Sequence, residues 1–171
     1  MEFGIIDITN GWFRWYLKDN DKKVEITASR YAEEDFVKRF LVCLTEFIRD
    51  KKEKRFSFFA EPGFSTINMS IDQNNSFNLE IAFEHMSDIM DRDMQKAINY
   101  HKFVASMYLM RTEFVPSILK AFKHYEISQL MLDSYKENWT LALGEKDKGE
   151  FSFPFHELQA LHKVASDIYI K

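Results

Sequence analysis

The chain has 171 residues, is 46% hydrophobic and 29% charged, and carries 5 Gly, 3 Pro and a formal net charge of -4. That length suits one compact domain burying about 70% of the surface its unfolded form exposes, and the composition excludes long disordered or low-complexity stretches. The mild acidity argues against sequence-independent binding to DNA or RNA, which depends on cationic neutralisation of phosphates, and favours basic partners. Cys43 is the one cysteine, so there is no internal disulfide; its place in an apolar helical pattern predicts a small buried thiol. Met1 to Ile5 show no basic region followed by an apolar run. The most apolar internal segment, Phe103 to Met110, is far shorter than the roughly 20 residues that span a bilayer. A cytoplasmic protein with no membrane partner is the expectation.

The first thirty residues read as a three-stranded meander: Phe3 to Thr9, Trp12 to Lys18 and Val24 to Ser29, with turns at Asn10-Gly11 and Asp19-Asn20-Asp21. Asn10-Gly11 is the strongest turn signal, because both central residues of a type I′ hairpin need positive φ. From Glu33 to Asp50 the apolar residues Phe36, Val37, Phe40, Leu41, Leu44, Phe47 and Ile48 recur at spacings of three and four, the stripe of an amphipathic helix. Glu33, Glu34 and Asp35 fall in its expected first turn and Lys51, Lys52 and Lys54 follow its end, matching the helix dipole. Strands follow at Phe56 to Ala60, Phe64 to Asp72 and Phe77 to Glu84. Pro62 and Gly63 suit positions i+1 and i+2 of a type II turn, and Gln73-Asn74-Asn75-Ser76 supplies the last hairpin. In the third strand Phe77, Leu79, Ile81 and Phe83 face one way and Asn78, Glu80 and Glu84 the other, the alternation of a half-buried strand.

Beyond Met94 the pattern reads as helical. Met94, Ala97, Ile98, His101, Val104, Ala105, Tyr108 and Leu109 make one broad face, and Pro116 is expected to end or kink that helix near Glu113. A second helix carries Ile118, Leu119, Phe122 and Tyr125, a short third covers Leu130 to Tyr135, and Trp139 to Leu143 is either a strand or extended. The polar run from Gly144 to Gly149 precedes a last helix from about Phe155 to Ile170, with Leu158, Leu161, Val164, Ala165 and Ile168 buried. The fold class is therefore α+β: a mainly antiparallel sheet of five or six strands with one helix packed on it, followed by a mostly helical C-terminal half. It forms a single domain over 1–171, sheet-rich over 1–84 and mostly helical over 85–171.

Candidate chemistry concentrates where the third of these strands ends, at Glu84, His85, Asp88, Asp91 and Asp93. Such a density of carboxylates with an imidazole suits a divalent cation, but the spacing matches no recognised site; a partner-facing acidic patch or a solvated loop with capping carboxylates explains it as well. His101, His124, His156 and His162 are scattered, so any catalytic pairing with Cys43 or a serine requires tertiary contact. The 17 Phe and 8 Met can line a groove, although their periodicities fit a core. The run Arg49 to Arg55 mixes both signs and reads as a solvated helix end.

Asp35-Phe36-Val37 with Phe47-Ile48, then Arg55-Phe56-Ser57-Phe58-Phe59-Ala60-Glu61-Pro62-Gly63-Phe64, then Phe77 to Phe83, together resemble immunity proteins of bacterial polymorphic-toxin and contact-dependent growth inhibition systems. The likeness rests on a helix, an aromatic strand, a Glu-Pro-Gly turn and two more strands, and does not extend into the C-terminal half. It implies a cytoplasmic inhibitor that binds a cognate protein toxin, without turnover or cofactor; many such toxins are nucleases with basic clefts. Under that implication Glu84, Asp88, Asp91 and Asp93 form the expected interface. The competing expectation is a small-molecule-binding domain or enzyme with a pocket between sheet and helices.

Overall fold

Asn10 and Gly11 both adopt positive φ, 50° and 78°, the type I′ geometry whose twist matches that of the strands it joins. In this computed structural model, which describes residues 1–29, 35–60, 63–85, 99–140 and 152–167, that turn connects β1 (Glu2–Thr9) to β2 (Trp12–Asp19). Asn20, at φ 51°, begins the turn into β3 (Lys22–Ser29). The three strands form an antiparallel sheet in the order β1-β2-β3. The β2–β3 register is unbroken from Trp12↔Ser29 to Asp19↔Lys22, whereas β1 carries an extra residue between Ile5 and Asp7.

Helix α1 (Phe36–Asp50) buries the whole expected stripe, from Phe36 and Val37 to Phe47 and Ile48. Asp35 stands outside the first turn as the N-cap, its carboxylate accepting from the Val37 and Lys38 amides at 2.9 and 3.3 Å. Glu33 and Glu34 lie outside the described residues. At the other end Lys51 is left-handed, φ 54°, and its amide donates to the Phe47 carbonyl at 2.8 Å, a C-terminal cap that satisfies an orphan carbonyl. Cys43 is half-buried, not fully enclosed, and burial pushes its thiol pKa up.

A second antiparallel sheet follows, ordered β4-β5-β6-β7, from β4 (Lys54–Ala60), β5 (Gly63–Ile71), β6 (Ser76–His85) and β7 (Asn99–Ser106). Gly63 pairs with Ala60, so it belongs to the strand and does not occupy a type II turn position; Glu61 and Pro62 lie outside the described residues. The β5–β6 hairpin is organised by Asp72, whose carboxylate accepts from the Asn74 and Ser76 amides at 2.9 and 2.8 Å, with Asn75 left-handed at φ 58°. The described residues thus hold seven strands in two sheets, where five or six in one sheet were expected.

The largest correction falls on the expected helix from Met94 to Glu113. Residues 99–106 are strand β7, paired with β6 from Ser76↔Ser106 to Phe83↔Asn99; Met94, Ala97 and Ile98 lie outside the described residues. Phe103 is buried while Tyr100, Lys102 and Val104 are exposed, the two faces of a strand. The same residues also satisfy helical spacing. Among the described residues β7 is the outer strand of the sheet, so what decides for it is the pairing with β6 along its length together with burial of Phe103 on the inner face. Helical geometry begins at Met107–Leu109, capped by the Ser106 hydroxyl, which accepts from the Leu109 amide at 3.1 Å. It passes through a π-helical turn at Met110–Phe114 into α2 (Val115–Ile127). Pro116 does not end the helical run; it follows directly on the π-helical turn that contains Glu113, the kind of local irregularity that a missing N–H and a ring set against the preceding turn go with. Helix α3 (Gln129–Thr140) is longer than expected and takes in Trp139. Helix α4 (Phe155–Ser166) buries Leu158, Leu161 and Ala165; Val164 is half-buried, and Ile168 and Ile170 lie outside the described residues.

The fold is α+β, and α1 lies between the two sheets instead of on one. Phe36 stacks on Trp15 at 5.3 Å and approaches Phe13 at 5.5 Å on one side, and meets Phe58 at 4.7 Å and Phe56 at 6.2 Å on the other. Phe40 stacks on Phe3 at 5.5 Å, and Phe47 reaches Phe77 at 5.2 Å. Helix α2 adds Phe122, at 5.8 Å from Phe3 and 6.4 Å from Phe13. These side chains belong to one buried cluster.

Two outcomes follow from this packing. Phe36→Ala should lower stability by about 3–5 kcal/mol, because it opens a cavity that both sheets line; urea unfolding measures it. Asp35 is 6% exposed, and burial raises its carboxyl from 3.8 to about 6 against the opposing backbone bonds from Lys38 and Val37. The folded chain therefore holds this proton more tightly than the unfolded chain. The associated stability is full below pH 3.8 and is lost as pH rises through about 6, an effect on the order of 3 kcal/mol. Asp35→Asn keeps a capping acceptor and does not ionise, so its unfolding free energy relative to the parent should rise across that window; a parallel pair of pH profiles would contradict the assignment.

Candidate functional site

The four-stranded sheet turns Phe56, Ile67, Leu79 and Phe103 inward, all buried, and its other face outward. Strand pairing arranges that outer face in rows. Phe59, Phe64 and Glu84 are cross-strand neighbours in one row; Ser57, Thr66, Ala82 and Tyr100 follow, then Arg55, Asn68, Glu80 and Lys102, then Ser70, Asn78 and Val104. In the first row Phe59 and Phe64 meet edge to face at 5.1 Å, and Glu84 beside them is exposed. In the second, the Ser57 and Thr66 hydroxyls share a hydrogen bond of 2.8 Å.

The third row is an electrostatic ladder. Asn68 donates from Nδ2 to Glu80 at 3.3 Å, and Lys102 Nζ lies 3.2 Å from the same carboxylate. Burial works against ionisation of Glu80, but the hydrogen bonds from Tyr100, Lys102 and Asn68 and the Lys102 charge outweigh it and hold the carboxyl below its ordinary range. Burial and the bond to Glu80 push the Tyr100 hydroxyl upward in turn. Tyr100 and Val104 are 54% and 51% exposed, and Tyr108 just beyond β7 is 72% exposed. This edge of the sheet therefore presents aromatic and branched apolar groups beside fixed charges, the mixture that anchors protein interfaces.

Of the four residues expected to contact a partner, Glu84 lies on this face, as alternation in β6 requires; Asp88, Asp91 and Asp93 lie outside the described residues. The structure adds Tyr100, Lys102 and Val104, which helical periodicity hid. Their signal is the alternation Tyr100, Lys102, Val104 against His101, Phe103, Ala105. The Phe59–Phe64 pair was hidden too, because aromatic residues at strand spacing read first as core.

Elsewhere the titratable groups are dispersed. Among the described residues no three His, Cys, Asp or Glu side chains converge to hold a metal ion. Cys43 sits on α1, and His162 on α4 lies 3.3 Å from Glu126 on α2. Two cavities flank the three-stranded sheet. One of 300 Å³ lies between β1 and helices α2 and α3, where Tyr125, Met131 and Tyr135 converge near His124. The other, of 250 Å³, lies between β3 and the inner face of the four-stranded sheet. No helix among the described residues is long and apolar enough to cross a membrane.

Comparison with models of protein families, with curated proteins and with solved structures finds no match.

The Glu80 ladder makes a specific demand. Glu80→Gln should lower the titration midpoint of Tyr100, followed by NMR on the ring carbons, while changing stability by no more than about 1 kcal/mol. An unchanged midpoint would show that burial alone sets the tyrosine.

Proposed function

We propose that this chain is an immunity protein, a cytoplasmic bacterial inhibitor that binds a cognate toxin domain and blocks it stoichiometrically, without turnover or cofactor. The observation that carries the reading is the outer face of the four-stranded sheet, where Phe64, Tyr100 and Val104 stand beside Glu84 and the Glu80 ladder. Exposed aromatic residues supply large contact area at low entropic cost. Carboxylates at the rim steer a basic partner and set the association rate. Glu84 opens the acidic run that continues through Asp88, Asp91 and Asp93, and the net charge of -4 suits a toxin with a basic cleft, a nuclease among them. The likeness of the Asp35 to Phe83 segments to immunity proteins supports the same reading.

A second reading is favoured by the 300 Å³ cavity between β1 and the helices: a small-molecule-binding domain or enzyme. A ligand held there raises thermal stability by mass action, and a screen for such a rise separates the two.

The test of the first reading expresses the reading frame adjacent to this gene with and without this protein. The neighbour should arrest growth alone, and the two products should co-purify in fixed stoichiometry when growth is restored. Charge reversal at Glu84 should slow association and flatten its salt dependence, and Tyr100→Ala should speed dissociation. A harmless neighbour that does not bind would shift the weight to the cavity.

A further inference from the structure

We propose that the 300 Å³ cavity between β1, α2 and α3 binds a small neutral phenol of two fused rings, whose hydroxyl sits between Ser134 and the main-chain edge of β1. The inference rests on the second reading, that this cavity holds a ligand, and is independent of the immunity reading.

The polar part of the site is a strand edge and one hydroxyl. Thr9 and Trp12 close the Asn10-Gly11 turn as a directly opposed pair, the position at which a two-residue turn makes its backbone hydrogen bonds. Bonded and non-bonded pairs then alternate along β2, so their partners Ile8 and, beyond the bulge, Ile5 and Phe3 aim their main-chain groups away from β2. Phe3 shows that parity directly: its amide donates to the Ser117 hydroxyl on α2 at 2.8 Å. Ile5 and Ile8 line the cavity, so the same outward edge borders it and offers carbonyl acceptors.

Ser134 lines the cavity from α3. The end of α3 is held beside the hairpin by the Gly11 amide, which donates to the Asn138 carbonyl at 2.7 Å. The Ser134 oxygen accepts from Asn138 Nδ2 at 3.1 Å, and among the described residues its own proton has no acceptor. A donor set against main-chain acceptors is matched by a ligand group that accepts and donates at one atom, which is a hydroxyl.

The walls decide the rest of the ligand. Tyr125 and Tyr135, 8% and 1% exposed, meet edge to face with their ring centres 5.6 Å apart, and Met131 stands with them in the lining. Such a pair favours a further aromatic ring, and a thioether packs well on ring edges. An apolar cavity of about 150 Å³ holds one benzene, so 300 Å³ has room for two fused rings and a hydroxyl. Among the described residues the one permanently charged side chain in the wall is Asp7, and Arg14 already grips both of its oxygens. An ionised ligand would lose hydration there without gaining a free counter-charge.

The test titrates naphthol at about pH 7, where a phenol is neutral, into the full chain with labelled methyl groups. Ala121, Met131 and Ile8 should shift and saturate, with Ile81 in the other cavity unmoved. Methoxynaphthalene, which keeps the rings and the oxygen but cannot donate, should bind about fivefold more weakly, and ionised naphthoate should also bind more weakly. Ser134→Ala should weaken naphthol about fivefold and leave naphthalene unchanged, whereas a folding defect would weaken both. Equal binding of methoxynaphthalene, tighter binding of naphthoate on exposed His124, shifts confined to Ile81, or no shift would overturn the proposal. A ligand of another class that moves Met131 in the same experiment would then leave the second reading standing without the phenol; the absence of any such ligand would remove both.

Discussion

Burial of one aromatic stripe, that of α1, between two separate sheets is the constraint on which the rest of the structure depends. Phe36 touches rings from both sheets, Phe40 continues toward β1 and Phe47 toward β6. Each large side chain so buried contributes about 1.5–3 kcal/mol, far more than helix propensity supplies. The helix meets side chains of both sheets, so each sheet turns one face toward α1. That single arrangement creates both the outer face of the four-stranded sheet and the cavity along β3.

Much of this was legible in the sequence wherever the deciding interaction is local. Asn10-Gly11 specifies its turn through φ alone, and Asp72 to Ser76 closes its hairpin through one carboxylate. The α1 stripe is legible because seven apolar residues obey one period. β7 was not, because His101, Val104, Ala105 and Tyr108 obey the helical period while residues 100–105 also alternate; the choice rests on pairing with β6 and on burial of Phe103 in the core, contacts distant from both signals. The division into two sheets is likewise invisible, since nothing in β3 or β4 alone states that they do not pair. Pro116 marks an irregularity, the π-helical turn just before it, but its spacing alone does not say that the segment before that turn is a strand.

For the candidate site, Glu84 was legible from alternation in β6, while its aromatic neighbours were not. Half-buried Phe64 lies on the outer face because β4 and β5 form a hairpin in which it pairs with Phe59, the two standing next to the inward Phe58 and Ser65. Tyr100 acquires its place through β7. A face assembled from β4 to β7 has no linear motif, because its rows run across strands, perpendicular to the chain. The same geometry explains why acidic and aromatic groups far apart in sequence form one surface, and why charges such as Glu80 and Lys102 are held in fixed positions by cross-strand partners.

On the proposed function, the outer face of the four-stranded sheet receives the protein partner. The most direct measurement is methyl NMR of the chain mixed with the product of the adjacent reading frame, following Thr66, Ala82 and Val104 on that face against Ile67 on the inner face and Ile127, which is 71% exposed on α2. The expected result is a shift of Thr66, Ala82 and Val104 that saturates at equal amounts of the two proteins, with Ile67 and Ile127 unmoved. Shifts at Ile127 with Ala82 and Val104 unchanged, or no shift at any of them, would contradict the account.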